Sequence, residues 1–131
     1  MSYGPTGNAL ARWTRNYAAA HPATIYMITH IATGRAYVGM TRGPLQRRWR
    51  GHVSAARRPK TPIQQAIHDH GAEAFSLEVI SVVAYAEGNR RERAEMMSRN
   101  TFLPNGYNVW HPGRPVRALE TAVEQMIAED A

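Results

Sequence analysis

Apolar positions recur at helical spacing near the start of the chain: Leu10, Trp13, Tyr17 and Ala20 fall on one stripe. This predicts a helix from about Asn8, its cap, to Ala20, docked on the rest and stopped by His21-Pro22. The period then shortens. Residues 24–30 and 35–40 are brief apolar runs, each with a tyrosine, and read as the strands of a hairpin. Thr33-Gly34 lies in their connection, where glycine accepts a positive φ. Gly39 marks a spot where another backbone, or a ligand, comes close.

Helical spacing returns at Gly43-Pro44, with proline suited to the first helical position. Leu45, Trp49, Val53 and Ala56 form a stripe that should face the core, so Arg47 and Arg50 point away. Arg48 and His52, one turn apart, lie beside that stripe. Arg48 is therefore the arginine of this region expected against the protein, with its neighbours open to solvent or phosphate.

Thr61-Pro62-Ile63-Gln64 reads as a capping box. Ile63, Ala66, Ile67 and His70 share a face of the helix it opens, and Gly71 closes it. Next, Phe75, Leu77 and Val79 alternate with Ser76 and Glu78, which predicts a strand over 75–83. Residues 84–99 are helical but weakly patterned, with Gly88-Asn89 expected to disturb the start. A loop over 101–109 carries the turn Pro104-Asn105-Gly106. Pro115 opens a last helix with Val116, Leu119, Val123, Met126 and Ile127 on one face.

The order helix, hairpin, two helices, strand, helix, helix predicts a small α+β domain with an antiparallel sheet. At 131 residues the chain suits one domain with small terminal additions. The expected division is an N-terminal extension with a helix at 1–22, a central domain at 23–110 and a C-terminal helix at 111–131.

Composition narrows the chemistry. There is no cysteine, which excludes thiol catalysis and thiolate metal sites. No apolar run approaches the ~18 residues of a membrane span, and the N-terminus lacks a signal-peptide core. An intracellular protein is the default. The net charge is +6, and Lys60 is the only lysine. Arg42, Arg47, Arg48, Arg50, Arg57, Arg58 and Lys60 share one stretch without an Asp or Glu. A solvated basic surface would explain arginines scattered evenly. Clustered guanidiniums instead grip phosphate oxygens in pairs and bind polyanions in a salt-dependent way.

Cutting a phosphodiester needs a base for water, positive charge for the phosphate, and a metal or acid for the leaving oxygen. Tyrosine, arginine, histidine and carboxylate are all available here. A free phenol is only ~0.1% ionised at neutral pH, a handicap of about 4 kcal/mol. A nearby cation or metal-bound water must assist it, and Arg48 or His52 is placed to do so. His68 and His70 sit two apart on a helix and do not share a face, which argues against a metal pair.

Four motifs now fall in order. They are Thr24-Ile25-Tyr26, Tyr37-Val38-Gly39, the run Leu45 to His52 as L-x-x-R-W-x-x-H, and Pro104-Asn105-Gly106-Tyr107-Asn108 with Glu92 upstream. Together, over roughly residues 23–110, they resemble the GIY-YIG nuclease superfamily. The resemblance implies a three-stranded antiparallel sheet with the residue-24 strand central, helices packed around it, and extra N- and C-terminal helices.

It also implies roles. Tyr26 matches the general base on the attacking water, and Tyr37 matches the tyrosine that orients water or phosphate or shares the base role. Arg48 matches the arginine that neutralises phosphate charge, and His52 matches a hydrogen-bonding position. Glu92 matches the lone carboxylate that holds a divalent cation, with Glu95 one turn away as its rival. Asn108 matches the asparagine that braces the site. A lone carboxylate suits Mg²⁺ or Mn²⁺, which keep several waters. Departures are Thr24 for the family's first glycine, Met40 where a lysine or small polar residue is common, and Glu95-Met96 in place of an aromatic–aliphatic pair.

The reading is a compact metal-dependent DNA endonuclease, with Arg42, Arg47, Arg50, Arg57, Arg58 and Lys60 on the DNA. Monomer and homodimer both remain open. With no long segment after the catalytic part, structure-selective, weakly sequence-selective or partner-directed cutting is expected over a long homing site. The first rival is a nucleic-acid-binding module that cuts weakly or not at all. The second is a small interaction protein that docks through its outer helices.

Overall fold

The computed structural model describes residues 7–109. The expected helix over 111–131 lies outside the described residues. Asn8, expected as the cap of the first helix, falls inside it, because the helix already includes Gly7. Strand β1 (Ala23–His30) is central, with β2 (Ala36–Thr41) and β3 (Phe75–Val83) antiparallel on either side. Helix α1 (Gly7–Ala20) precedes the sheet, α2 (Leu45–Ala55) and α3 (Pro62–His70) follow β2, and α4 (Gly88–Arg99) follows β3. No helix among the described residues is long and apolar enough to cross a membrane.

Central placement of β1 follows from its side chains. Ile25, Tyr26 and Ile28 are fully buried, so both faces of this strand need cover. Tyr26 and Ile28 pack with Ala56, Ile63, Ile67 and Phe75, under α2 and α3. Ile25 packs with Val38 and Met96 on the opposite face, under α4. Two thin cores thus sandwich the sheet.

Five local expectations are corrected. Pro44 is the N-cap of α2, with ψ at 132°, so its extended ψ places it one residue before the helix. In α3, Thr61 Oγ1 accepts from the Gln64 N–H, but Gln64 Oε1 accepts from the N–H of Lys60, one residue upstream of a standard capping box. A bulge between Ile25 and Tyr26 shifts the β1–β3 register, so the alternation over 75–83 fails midway. Ile80 joins the core under α4, and Val79 is half exposed. Gly88 does not disturb a helix but opens α4 after a short turn at Tyr85–Glu87. A Cβ at Gly88 would come 2.7 Å from the Ala23 side chain, so its bareness lets α4 lie on the sheet. The α1 stripe, finally, stays largely in solvent, with Leu10, Trp13 and Tyr17 all exposed. Tyr17 meets Tyr85 edge-on, at 5.9 Å.

Candidate active site

Register places the first two residues. Tyr26 lies on β1 directly opposite Gly39, and Tyr37 lies on β2 opposite Ile28. All four positions face the α2 side of the sheet, so the two phenols come from adjacent strands with their rings 6.4 Å apart. Gly39 leaves a gap where a side chain would stand, and the Tyr26 ring fills it. The close neighbour expected at this glycine is therefore an aromatic ring of the protein itself.

Helix α2 adds the next two. His52 is the buried residue of this helix, at 5% exposure. Its Nε2 lies 2.8 Å from Tyr26 Oη. Arg48, one turn earlier, donates from Nε to the same oxygen at 3.1 Å. The Tyr26 hydroxyl thus accepts from Arg48 and has its own proton to give to His52. That polarity goes with the Nδ1–H tautomer of His52, which leaves Nε2 as the acceptor. Burial, with Arg48 adding to it, pushes the His52 pKa down to about 4, so the ring is neutral at neutral pH and one of its nitrogens is an acceptor.

Burial also raises the Tyr26 pKa, and the opposing pull of Arg48 does not cancel it. Tyr37 is raised too, by burial first and then by Tyr26 and Glu92. Both tyrosines are therefore neutral phenols here. The cation expected to ionise a tyrosine is in place, but desolvation outweighs it.

Glu92 arrives from the other side of the sheet on α4. It lines a cleft of about 400 Å³ together with Tyr37, Arg48, His52, Tyr107 and Asn108. Thr61 to Gln64, at the start of α3, form the far wall. Burial raises its pKa to about 7, against the pull of Arg48, Arg93 and Arg42. No side chain among the described residues hydrogen-bonds or ion-pairs with its carboxylate. Glu95 differs: it holds Arg99 at 2.8 Å and Arg91 at 3.4 Å. Of the two candidates, only Glu92 faces the cleft with its oxygens uncommitted.

Asn108 closes the outer edge of β2. Its Oδ1 accepts from the Val38 N–H at 2.9 Å, and its Nδ2 donates to the Val38 carbonyl at 3.0 Å. Thr101 Oγ1 donates to the same Oδ1 at 2.6 Å. The asparagine therefore braces the Tyr37 strand rather than Glu92 itself. Thr101, only 2% exposed, was not singled out by sequence, since one threonine in a loop carries no periodic signal. Arg35 escaped notice for the same reason. Its guanidinium covers the Tyr107 ring at 4.7 Å and donates to the Pro104 carbonyl at 3.1 Å, holding the terminal loop on the sheet.

Among the clustered basic residues, Arg47, Arg48, Arg50, Arg57, Arg58 and Lys60 are exposed, and Arg48 differs only in turning its Nε onto Tyr26. Arg42 was expected to be free, and it is not. Its guanidinium lies 4.3 Å over the Tyr85 ring and donates to the Tyr85 carbonyl at 3.0 Å. His68 Nδ1 pairs with the Ala56 carbonyl, and no metal-sized cluster of three acidic or histidine side chains exists among the described residues.

The sequence profile of the GIY-YIG catalytic domain matches residues 22–108. The chain belongs to the GIY-YIG nuclease superfamily. Two solved structures share this fold. One is a mutant form of the catalytic domain of the intron endonuclease I-TevI, at 21% identity and a TM-score of 0.59, covering 68% of this chain and 94% of that one. The other is the catalytic domain of the homing endonuclease I-TevI, at 22% identity and a TM-score of 0.58, covering 67% of this chain and 98% of that one. No curated protein matches the chain. The GIY-YIG core of this nuclease thus coincides with the described sheet and the helices that build the cleft.

Proposed function

We propose that this GIY-YIG protein is a divalent-metal-dependent DNA endonuclease that hydrolyses phosphodiester bonds. The observation that carries the reading is one convergence. Tyr26, Arg48 and His52 form a single hydrogen-bonded cluster, and the unpaired Glu92 carboxylate lines the cleft beside Arg48 and His52. The endonuclease names of the two similar structures point the same way.

Glu92 suits a hydrated Mg²⁺ or Mn²⁺. It is a hard oxygen donor, half-buried, with no ion-pair contact among the described residues, and burial raises its pKa against the pull of Arg48, Arg93 and Arg42. A cation held there would supply positive charge at the phosphate and leaving oxygen.

The residues of the chain divide the remaining work. Arg48 neutralises the phosphate. Tyr26 takes a proton from the attacking water while passing its own to His52 Nε2, so no free phenolate has to form. Arg48 also links the two events. Tyr26 is fully buried, with the Arg48 Nε on its hydroxyl. Drawing Arg48 toward a phosphate uncovers that hydroxyl. It also removes an influence that depresses the His52 pKa, making His52 a better acceptor when substrate is present. Tyr37, half-buried and lining the cleft, orients water or phosphate.

A nicking assay on supercoiled plasmid tests the proposal, run with Mg²⁺, with Mn²⁺ and with chelator. Nicking that needs the metal and is lost in Glu92→Ala is expected. Full activity in chelator, or in Glu92→Ala, overturns it. The full burial of Tyr26 favours a second reading, a module that binds DNA without cutting. Salt-sensitive DNA binding with no nicking under any divalent ion would establish that reading instead.

A further inference from the structure

Helix α1 carries an aromatic ladder that the catalytic cluster does not use. Trp13 is 63% exposed and Tyr17 44%. Their rings stack at 5.6 Å and 26°, and Tyr17 stacks on His21 at 4.0 Å and 17°. The Tyr85 edge meets Tyr17, and Arg42 covers Tyr85. Arg42 in turn acts electrostatically on Glu92. A continuous line of flat groups thus runs from the open ring of Trp13 toward the metal-ligand candidate.

Charge selects the occupant. Helix α1 contains Arg12 and Arg15, both exposed, and no acidic residue. Exposed parallel rings beside guanidiniums offer what a nucleic-acid strand needs, a stacking face for bases and cations for phosphates. Bases in a duplex are already stacked on each other, so only unpaired bases present a free face. A protein partner would look for aliphatic area, and Leu10 is the one exposed aliphatic side chain of any size on this helix.

We propose that α1 binds an unpaired DNA strand, with a base stacked on the open face of Trp13 and phosphates near the exposed Arg12 and Arg15. The strand then leads past Tyr85 to the Glu92 cleft. This rests on the nuclease reading and narrows its substrate to DNA with a single-stranded segment, such as a flap, loop or overhang.

The test is fluorescence anisotropy with the full chain, without divalent ion, at fixed low salt. The probes are a labelled oligothymidine, a duplex of equal length and an abasic oligomer. Trp13→Ala is expected to weaken oligothymidine binding about tenfold or more, the scale of one lost stack. Duplex binding should change less than about twofold. Trp13→Phe should keep most of the affinity, and the abasic oligomer should bind native protein as weakly as oligothymidine binds Trp13→Ala.

Equal oligothymidine affinity in native protein and Trp13→Ala overturns the proposal. So does a Trp13→Ala protein whose oligomeric state by light scattering, or melting temperature, shifts while its affinity does not, since that marks a surface covered by protein. Plasmid nicking separates the two claims. Loss of nicking in all proteins with Trp13-dependent binding intact would sink the nuclease reading alone. Normal nicking without Trp13-dependent binding would sink the stacking site alone.

Discussion

Gly39 stands directly across the hairpin from Tyr26, and the Tyr26 ring occupies the volume that a side chain at Gly39 would take. Tyr37 crowds the same spot, with Cε1 2.8 Å from where that Cβ would be. Both phenols are thus seated by the absence of one methyl group.

Gly39→Ala should therefore displace the tyrosines. Overpacking a fitted site costs about 1–3 kcal/mol, so the protein should still fold. Nicking should fall at least ~100-fold, because a shifted Tyr26 no longer meets His52 and a water together. A melting curve and a nicking time course check both halves. Undiminished cleavage would show that the Tyr26 position is unimportant.

Removing the proton acceptor makes a second case. His52→Ala leaves the buried Tyr26 hydroxyl without its acceptor, a cost of about 1–3 kcal/mol. The rate should drop ~10²–10⁴-fold, the range of a lost acid–base partner. The native histidine also leaves a pH signature. Its folded pKa of about 4 is below the ordinary 6.5, so its stabilising effect is complete above 6.5 and is lost as pH falls through 4. Thermal melts of the two proteins between those pH values should converge toward the acid end.

Glu92 acts in the opposite direction. Its folded pKa of about 7 exceeds the ordinary 4.5. Between those values the folded protein holds a proton that the unfolded chain has released, so stability falls as pH rises through the window. Glu92→Gln removes the buried charge. In metal-free buffer above pH 7 it should be more stable than native protein, on the order of 2–3 kcal/mol, while being inactive. Lower stability of Glu92→Gln at pH 8 would contradict the burial argument.

The same carboxylate should govern the pH profile of cleavage. Glu92 must lose its proton to hold a cation, so at limiting Mg²⁺ the rate should rise with pH through about 7. Raising Mg²⁺ should move that limb to lower pH, because the metal competes with the proton. Rates measured over a grid of pH and Mg²⁺ check this, and a limb that ignores the metal would separate Glu92 from cation binding.

Asn108 invites a structural test. Asn108→Ala strands the Val38 N–H and carbonyl and the Thr101 hydroxyl at once. A stability loss of several kcal/mol is expected from that many orphaned buried groups, seen as a lower urea midpoint. Remaining folded protein should cleave slowly with little change in the metal dependence, because Asn108 braces β2 and does not contact Glu92.

Much of the site could be read from local pattern. Residues 24–52 read as a hairpin and then a helix, which puts Arg48 and His52 on one helix edge; that Tyr26 and Tyr37 share a sheet face follows from the hairpin register. The bulge at Ile25/Tyr26 left no trace in the alternation of Phe75, Leu77 and Val79, because register depends on the partner strand. The α1 stripe showed the reverse problem. Periodicity reports that a helix is amphipathic, not that anything covers its apolar face.

By itself the sequence determined the elements, the motifs and the residue types that phosphodiester chemistry requires, because these depend on neighbours a few positions apart. Tertiary structure decided that Glu92 lines the cleft while Glu95 is ion-paired with Arg91 and Arg99, since that depends on how α4 lies against the sheet. It also decided the ionisation of the tyrosines. A guanidinium beside a phenol lowers its pKa and burial raises it, and the balance is set by how much water the folded chain excludes.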